Sequence, residues 1–383
     1  MKYLKVLMFA LAMSFAVSAE VVDTNSQHFY LFTYFINTND QAGARIAISS
    51  DAVNWQKINN ELPVFTPTIS NEHRMRDPYT LYDPRTGVFH LVWTTGWTQQ
   101  SIGYAAVKDL RDWKHSVQKA LPVGAKIPNC ACCWAPEIFY DTIKDSFMIY
   151  WSTERGTNGK RSYYCMTKDF KSITDPKLFF DPGYSVIDAD ILKADSAKYY
   201  MFFKDEREAP VAGKPAKNLH YVYGPTPQGP WDQGSWDKVS PPITTPGCEG
   251  PCAIKIGNEY CIYFDPYFDF SSTYRMVKVT DLTDTTSPWP QGNILKTATG
   301  NFLYSHGHII EIPRVKVMEL LYNIDDPTTT YDPWELPAVL TADDYPLGKR
   351  NCGCGTGVGL AFVPPVLFKA AALRKRKKRI RQA

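Results

Sequence analysis

Nowhere in its 383 residues does the chain carry a glycine-rich phosphate loop or a Ser/His/Asp hydrolase signature. Nucleotide-phosphate transfer and serine-based ester hydrolysis are therefore set aside. The nine cysteines include no two-by-two Cys/His spacing of the zinc-binding kind. No Pro-rich or Gly/Ser linker divides the chain into domains. Net charge is also scarce: the formal value is +3, yet Arg374 to Arg381 (RKRKKRIR) carries seven positive charges, which leaves the remainder near −4 (3 − 7). The body of the chain thus lacks the basic surface of a nucleic-acid binder.

What is present is apolar, aromatic and repetitive. The composition is 44% hydrophobic and 14% aromatic, enough to fill the core of one large all-β domain. Four stretches share one layout, a carboxylate at a strand start, a turn, then an aromatic-rich strand: Asp77 in RDPYTLYDPRTGVFHLVWTT, Glu137 in WAPEIFYDTIKDSFMIYWST, Asp188 in IDADILKADSAKYYMFFKD and Glu249 in GCEGPCAIKIGNEYCIYFD. Several units also end in a strand and an Asp-centred turn, as in IGYAAVKDLRDW and RMVKVTDLTD. Repeats of this length, each with about four strands, predict the blades of a five-bladed β-propeller. The first unit, from Phe29 to Ile58, has no carboxylate of its own, and His306–Pro313 reads as a lone strand. We expect that C-terminal strand to join the first blade and close the ring, removing two exposed edges. A pair of β-sandwiches is the competing architecture, disfavoured by the regular repeat.

The termini read differently. Residues 1–19 combine Lys2 and Lys5, an apolar run and the small-residue site Val17-Ser18-Ala19, the pattern of a secretory signal peptide. Residues 20–345 form the expected propeller. Residues 346–383 form a tail in which a Cys/Gly segment leads to an apolar run broken by Pro364-Pro365 and Lys369, then to the basic cluster. That order matches a membrane or cell-envelope anchor, and equally a basic disordered tail. The expected location is secreted or envelope-associated, where disulfides are permitted.

Carboxylates at equivalent strand starts converge on one mouth of a propeller channel. Like charges crowded there push some pKa values up, and a protonated carboxyl beside an ionised one is what glycoside hydrolysis needs. In the inverting form the two stand about 6.5 to 9.5 Å apart. A structural calcium site or turn hydrogen bonding would use the same residues.

The ordered set Arg76-Asp77-Pro78, Trp134-Ala-Pro-Glu137, Val186-Ile-Asp188-Ala189 and Glu249-Gly-Pro251 resembles glycoside hydrolase family 43, over about residues 28 to 315. The resemblance implies that Asp77 is the general base activating water, Asp188 holds the acid's pKa and orientation, and Glu249 is the general acid. It also implies inversion, on arabinose- or xylose-containing plant polysaccharides or oligosaccharides, with no required cofactor. Asp190, two residues on, could face the channel in place of Asp188. Glu137 is expected to contact substrate or to be structural. His306 resembles the family's central histidine, which helps hold a channel ion or water, with calcium as the candidate ion; a buried, satisfied histidine is the alternative. Trp134 and Trp97 are the candidate sugar platforms, and Arg76 and Arg275 the candidate hydroxyl contacts. Cys130-Ala-Cys132-Cys133 precedes Trp134, and Cys248 and Cys252 bracket Glu249-Gly-Pro251. We expect disulfides there, within or between the two groups. Two other functions stay open: a silent carbohydrate-binding propeller, and a related propeller hydrolase for another sugar such as galactose.

Overall fold

The structure is a computed structural model. It describes residues 22–322, apart from 157–158, 211–215, 232–238, 268–272, 284–287, 290–292, 298–299 and 302–305. The expected signal segment and C-terminal tail lie outside the described residues.

Five sheets form the blades of a β-propeller, as the repeats predict, antiparallel except where Lys296–Thr297 pairs parallel with Asn54–Lys57 in the first. From the channel outward, blade two runs Arg76–Asp83, Val88–Thr94, Ile102–Val107 and Lys119–Leu121. Blade three runs Trp134–Asp141, Ser146–Glu154, Lys160–Thr167 and Lys177–Phe180. Blade four has three described strands, Val186–Lys193, Tyr199–Asp205 and Leu219–Gly224. Blade five runs Cys248–Ile256, Glu259–Pro266, Arg275–Val279 and Asn293–Ile294. In blade one the innermost strand is the C-terminal Gly307–Ile312, paired antiparallel with Phe29–Tyr34 from Phe29↔Ile312 to Tyr34↔Gly307. The ring therefore closes by a strand contributed from the far end of the chain. The missing carboxylate of the first unit is explained too: its inner strand is not in that unit.

The second strand of each blade lies between two neighbouring sheets, so it is apolar on both faces rather than alternating. Every residue of Val88–Thr94 and of Tyr199–Asp205 is buried. Five apolar clusters follow, one in each gap between blades; Trp93, Trp151, Phe203, Phe264 and Trp55 are buried members of successive ones. Beyond the closing strand a short helix, Arg314–Tyr322, is an element the strand pattern does not predict. It anchors through Val317, and its Lys316 and Glu319 form a buried ion pair at 3.0 Å.

Candidate active site

Each of four inner strands breaks register near its start, between Arg76 and Tyr79, Trp134 and Glu137, Ile187 and Asp190, and Glu249 and Cys252. These are β-bulges, which re-aim side chains at the cost of local pairing. In every one the first bulged residue is left-handed: Asp77 at φ 51°, Ala135 at 44°, Asp188 at 55° and Gly250 at 59°. Non-glycine residues rarely adopt that conformation, and it concentrates at functional sites. This alignment corrects the equivalence expected from sequence. Asp77 and Asp188 do occupy matching positions, but Glu249 stands one residue before its bulge and Glu137 two residues after.

The channel therefore has two tiers. The upper one holds Asp77, Ala135, Asp188, Gly250 and, from the closing strand, His306. The lower one holds the residues two further on: Tyr79, Glu137, Asp190, Cys252 and His308. A small cavity between the tiers is lined by Asp77, Tyr79, Ala135, Glu137, His306 and His308.

In the upper tier Asp77 Oδ1 meets His306 Nδ1 at 3.0 Å, and its Oδ2 accepts from the Thr94 hydroxyl at 2.7 Å. Burial pushes the Asp77 carboxyl up, but the His306 charge, with help from Arg76 and these two hydrogen bonds, overcomes it and brings the value to about 2. His306 is correspondingly raised to about 9: burial opposes its charge, and Asp77, Asp188 and Glu249 outweigh burial. Asp77 is thus an ionised carboxylate held by an imidazolium. Asp188 is buried and pushed up to about 7, mainly by burial and by Glu249. Its Oδ2 accepts the Gly250 N–H at 3.1 Å, which fixes the backbone next to Glu249. Glu249 itself is partly exposed, and its Oε2 accepts from Lys204 Nζ at 2.7 Å.

The lower tier is buried. Tyr150 donates to Glu137 at 2.6 Å, and Glu137 hydrogen-bonds Asp190, so this pair shares a proton. Burial raises Glu137 well above the carboxylate range and Asp190 to about 7. Asp190 Oδ2 also accepts the Ala253 N–H at 2.6 Å. His308, stacked on Tyr79 at 3.6 Å, is driven down to about 3 by burial and is neutral. Asp190 thus faces the channel one tier below Asp188, bonded to blade five rather than turned to the mouth.

Four further residues support the upper tier, and sequence reasoning missed them. The second-strand residues opposite the position before each bulge are Thr94, Ser152, Lys204 and Asp265. Each reaches into the next blade. Thr94 Oγ1 accepts the Ala135 N–H at 2.8 Å, Ser152 Oγ accepts the Asp188 N–H at 3.1 Å, and Asp265 Oδ2 accepts the His306 N–H at 3.4 Å. Lys204 reaches Glu249. Burial, then Glu249, raise Asp265 to about 6. The signal was present as a recurring aromatic-plus-polar pair, Trp93-Thr94, Trp151-Ser152, Phe203-Lys204 and Phe264-Asp265.

At the rim, Trp97 is 42% exposed and meets Trp134 edge-on at 5.8 Å, with the Trp134 Nε1–H donating to the Trp97 carbonyl at 3.0 Å. Arg76 lies over the Trp97 ring at 4.5 Å and pairs with Asp40 at 3.4 Å. Arg275 opens the third strand of blade five, opposite Phe264, and so lies outboard of Asp265. The expected disulfides are not formed: Cys130, Cys132, Cys133, Cys248 and Cys252 are free and buried. Cys130 and Cys133 sulfurs lie 3.8 Å apart, beyond the roughly 2.05 Å of a disulfide. Cys248 and Cys252 pack in two other clusters, away from Cys130 and Cys133. On His306 the Nδ1 is taken by Asp77, so a channel ion would have to be met at Nε2. Among the described residues no group of three or more His, Cys, Asp or Glu side chains is arranged to hold a metal.

A propeller whose channel mouth gathers one ionised carboxylate, raised carboxyls and flanking tryptophans is of the class of propeller glycosidases. Residues 26–317 match the family described as a probable glycosyl hydrolase domain, related to glycosyl hydrolase family 43, and the chain belongs to that family. It is also similar to an α-L-arabinofuranosidase of Bifidobacterium longum subsp. longum, 24% identical over 200 residues, 45% of this chain and 19% of the relative. The chain thus spans about a fifth of that relative's length. Among solved structures, the exo-β-1,3-galactanase of Phanerochaete chrysosporium shares the fold with a TM-score of 0.52 at 14% identity, covering 70% of this chain and 61% of the other.

Proposed function

We propose that the chain is an inverting glycoside hydrolase acting on arabinofuranosyl or xylosyl linkages of plant polysaccharides or their oligosaccharides, after export from the cell. The observation that carries the reading is the unlike state of two carboxyls in one tier: Asp77 is held ionised by His306, while Asp188 is raised to about 7. An ionised Asp77 can accept a proton from water as the water oxygen attacks the anomeric carbon. The anomeric carbon–oxygen bond then breaks, and Glu249 delivers its proton to the leaving oxygen. Asp188 orients the donor, since its bond to the Gly250 N–H anchors the residue after Glu249. Trp97 and Trp134 offer flat apolar faces to the sugar beyond the scissile bond.

The test is a product profile on arabinans, arabinoxylans and chromogenic pentosides, with the anomeric configuration of the first product followed by NMR. Inversion is expected. Retention would overturn the mechanism, and glycan binding without any hydrolysis would favour a silent binding propeller. Glu249→Gln should lower the rate on unactivated oligosaccharides about 1,000-fold, within the usual span of general-acid catalysis. Aryl glycosides, whose leaving groups need little protonation, should lose much less.

A further inference from the structure

Lys204 breaks a pattern that three other blades keep. At its position Thr94, Ser152 and Asp265 each accept a backbone N–H from the following blade. A lysine cannot accept. Asp188 takes over the Gly250 N–H, and Lys204 donates to the Glu249 side chain instead, at 2.7 Å. It is also 3.0 Å from Glu206 Oε2, its ammonium lies over the Tyr267 ring at 4.5 Å, and it is only 3% exposed. A buried lysine is costly unless its charge is met, and here it is met by carboxylates on two sides.

We propose that Lys204 is the positioning residue of the proton donor: shared between Glu206 and Glu249, it fixes the Glu249 carboxyl in the mouth, where the leaving oxygen must meet it. This rests on the reading of Glu249 as the general acid. The charged and titratable groups facing Glu249 are Lys204 and Glu206 from blade four's second strand and the turn after it, Asp188 from its inner strand, Asp265 and Tyr267 from blade five, and His306 from the closing strand. Lys204 alone among them donates a hydrogen bond to the carboxylate. Glu206 limits how fully it does so, because the same ammonium answers both acids. The Glu206 carboxylate is also met by Lys217 at 3.1 Å, so its loss leaves a cation beside it rather than a hole.

The experiment compares kcat/KM on arabinan oligosaccharides, whose unactivated linkages need a well-placed proton donor, with kcat/KM on aryl arabinosides, whose leaving groups need little protonation. Lys204→Met should lower the first about 100-fold, the cost of a misplaced donor, and the second less than about threefold. Glu206→Gln, which leaves Lys204 in place on Glu249, should keep both within about threefold. If Lys204→Met does not fold, Lys204→Gln carries the same comparison. Equal losses on the two substrates, or no loss on either, in a folded Lys204 variant overturns the inference. If Glu249→Gln keeps full activity on the same oligosaccharides, the assignment of the proton donor has failed instead.

Discussion

The Asp77–His306 pair ties the chemistry of the mouth to the stability of the fold. Folding raises His306 from its ordinary 6.5 to about 9. A raised basic group stabilises the native state fully below its unfolded value, and that contribution disappears as pH climbs through the folded one. The unfolding midpoint should therefore fall between about pH 6.5 and 9, and His306→Gln should flatten that fall; a thermal melt series across this window measures both. At this scale the sequence was half legible. Asp77, Asp188 and Glu249 could be read because each sits in a short motif at the start of an apolar strand. Lys204 and Asp265 could not, since a polar residue at the end of a second strand resembles any strand terminus until the register shows what it faces. The partner of His306 was not legible either, since Asp77, which meets its Nδ1, lies more than two hundred positions away in the sequence.

Bulges set the geometry of the elements. Moving the strand start by one residue decides whether a carboxylate lies in the left-handed position, before it or below it, and spacing between repeats cannot resolve one residue. That is why Asp77, Glu137, Asp188 and Glu249 looked equivalent and are not. Gly250 shows what the bulge demands. A Cβ there would come within 2.3 Å of the His306 ring, in a backbone conformation of φ +59°. Gly250→Ala should displace the ring from Asp77 and reduce kcat about 100-fold, the cost of roughly an ångström of misplacement. The same variant should lose the His306-dependent pH slope of the melt. Activity that survives while the slope disappears would show that His306 is dispensable to the chemistry. At the start of blade five's inner strand, peptide mapping of the non-reduced protein should find Cys248 and Cys252 as thiols, in line with their burial in separate clusters.

The whole ring was the most legible part, because blade-length repeats and a solitary terminal strand constrain one another. Its closure makes a prediction of its own. A chain ending at residue 305 would leave Phe29–Tyr34 as a bare inner edge and would strip Ile309 and Ile312 from two clusters between blades. Such edges pair with other chains. The truncated protein should elute as aggregate on size exclusion and unfold without a cooperative transition, whereas chains ending after Tyr322 should remain monodisperse if the ring is the folding unit.

The closing strand also orders events in time. Asp77 leaves the ribosome long before His306, and N-terminal parts of a chain begin to fold while the rest is still being made. Until the last inner strand arrives, Asp77 has no histidine partner and blade one has no inner wall. The upper tier is thus incomplete in every unfinished chain, and the same strand that completes the barrier to aggregation also completes the mouth.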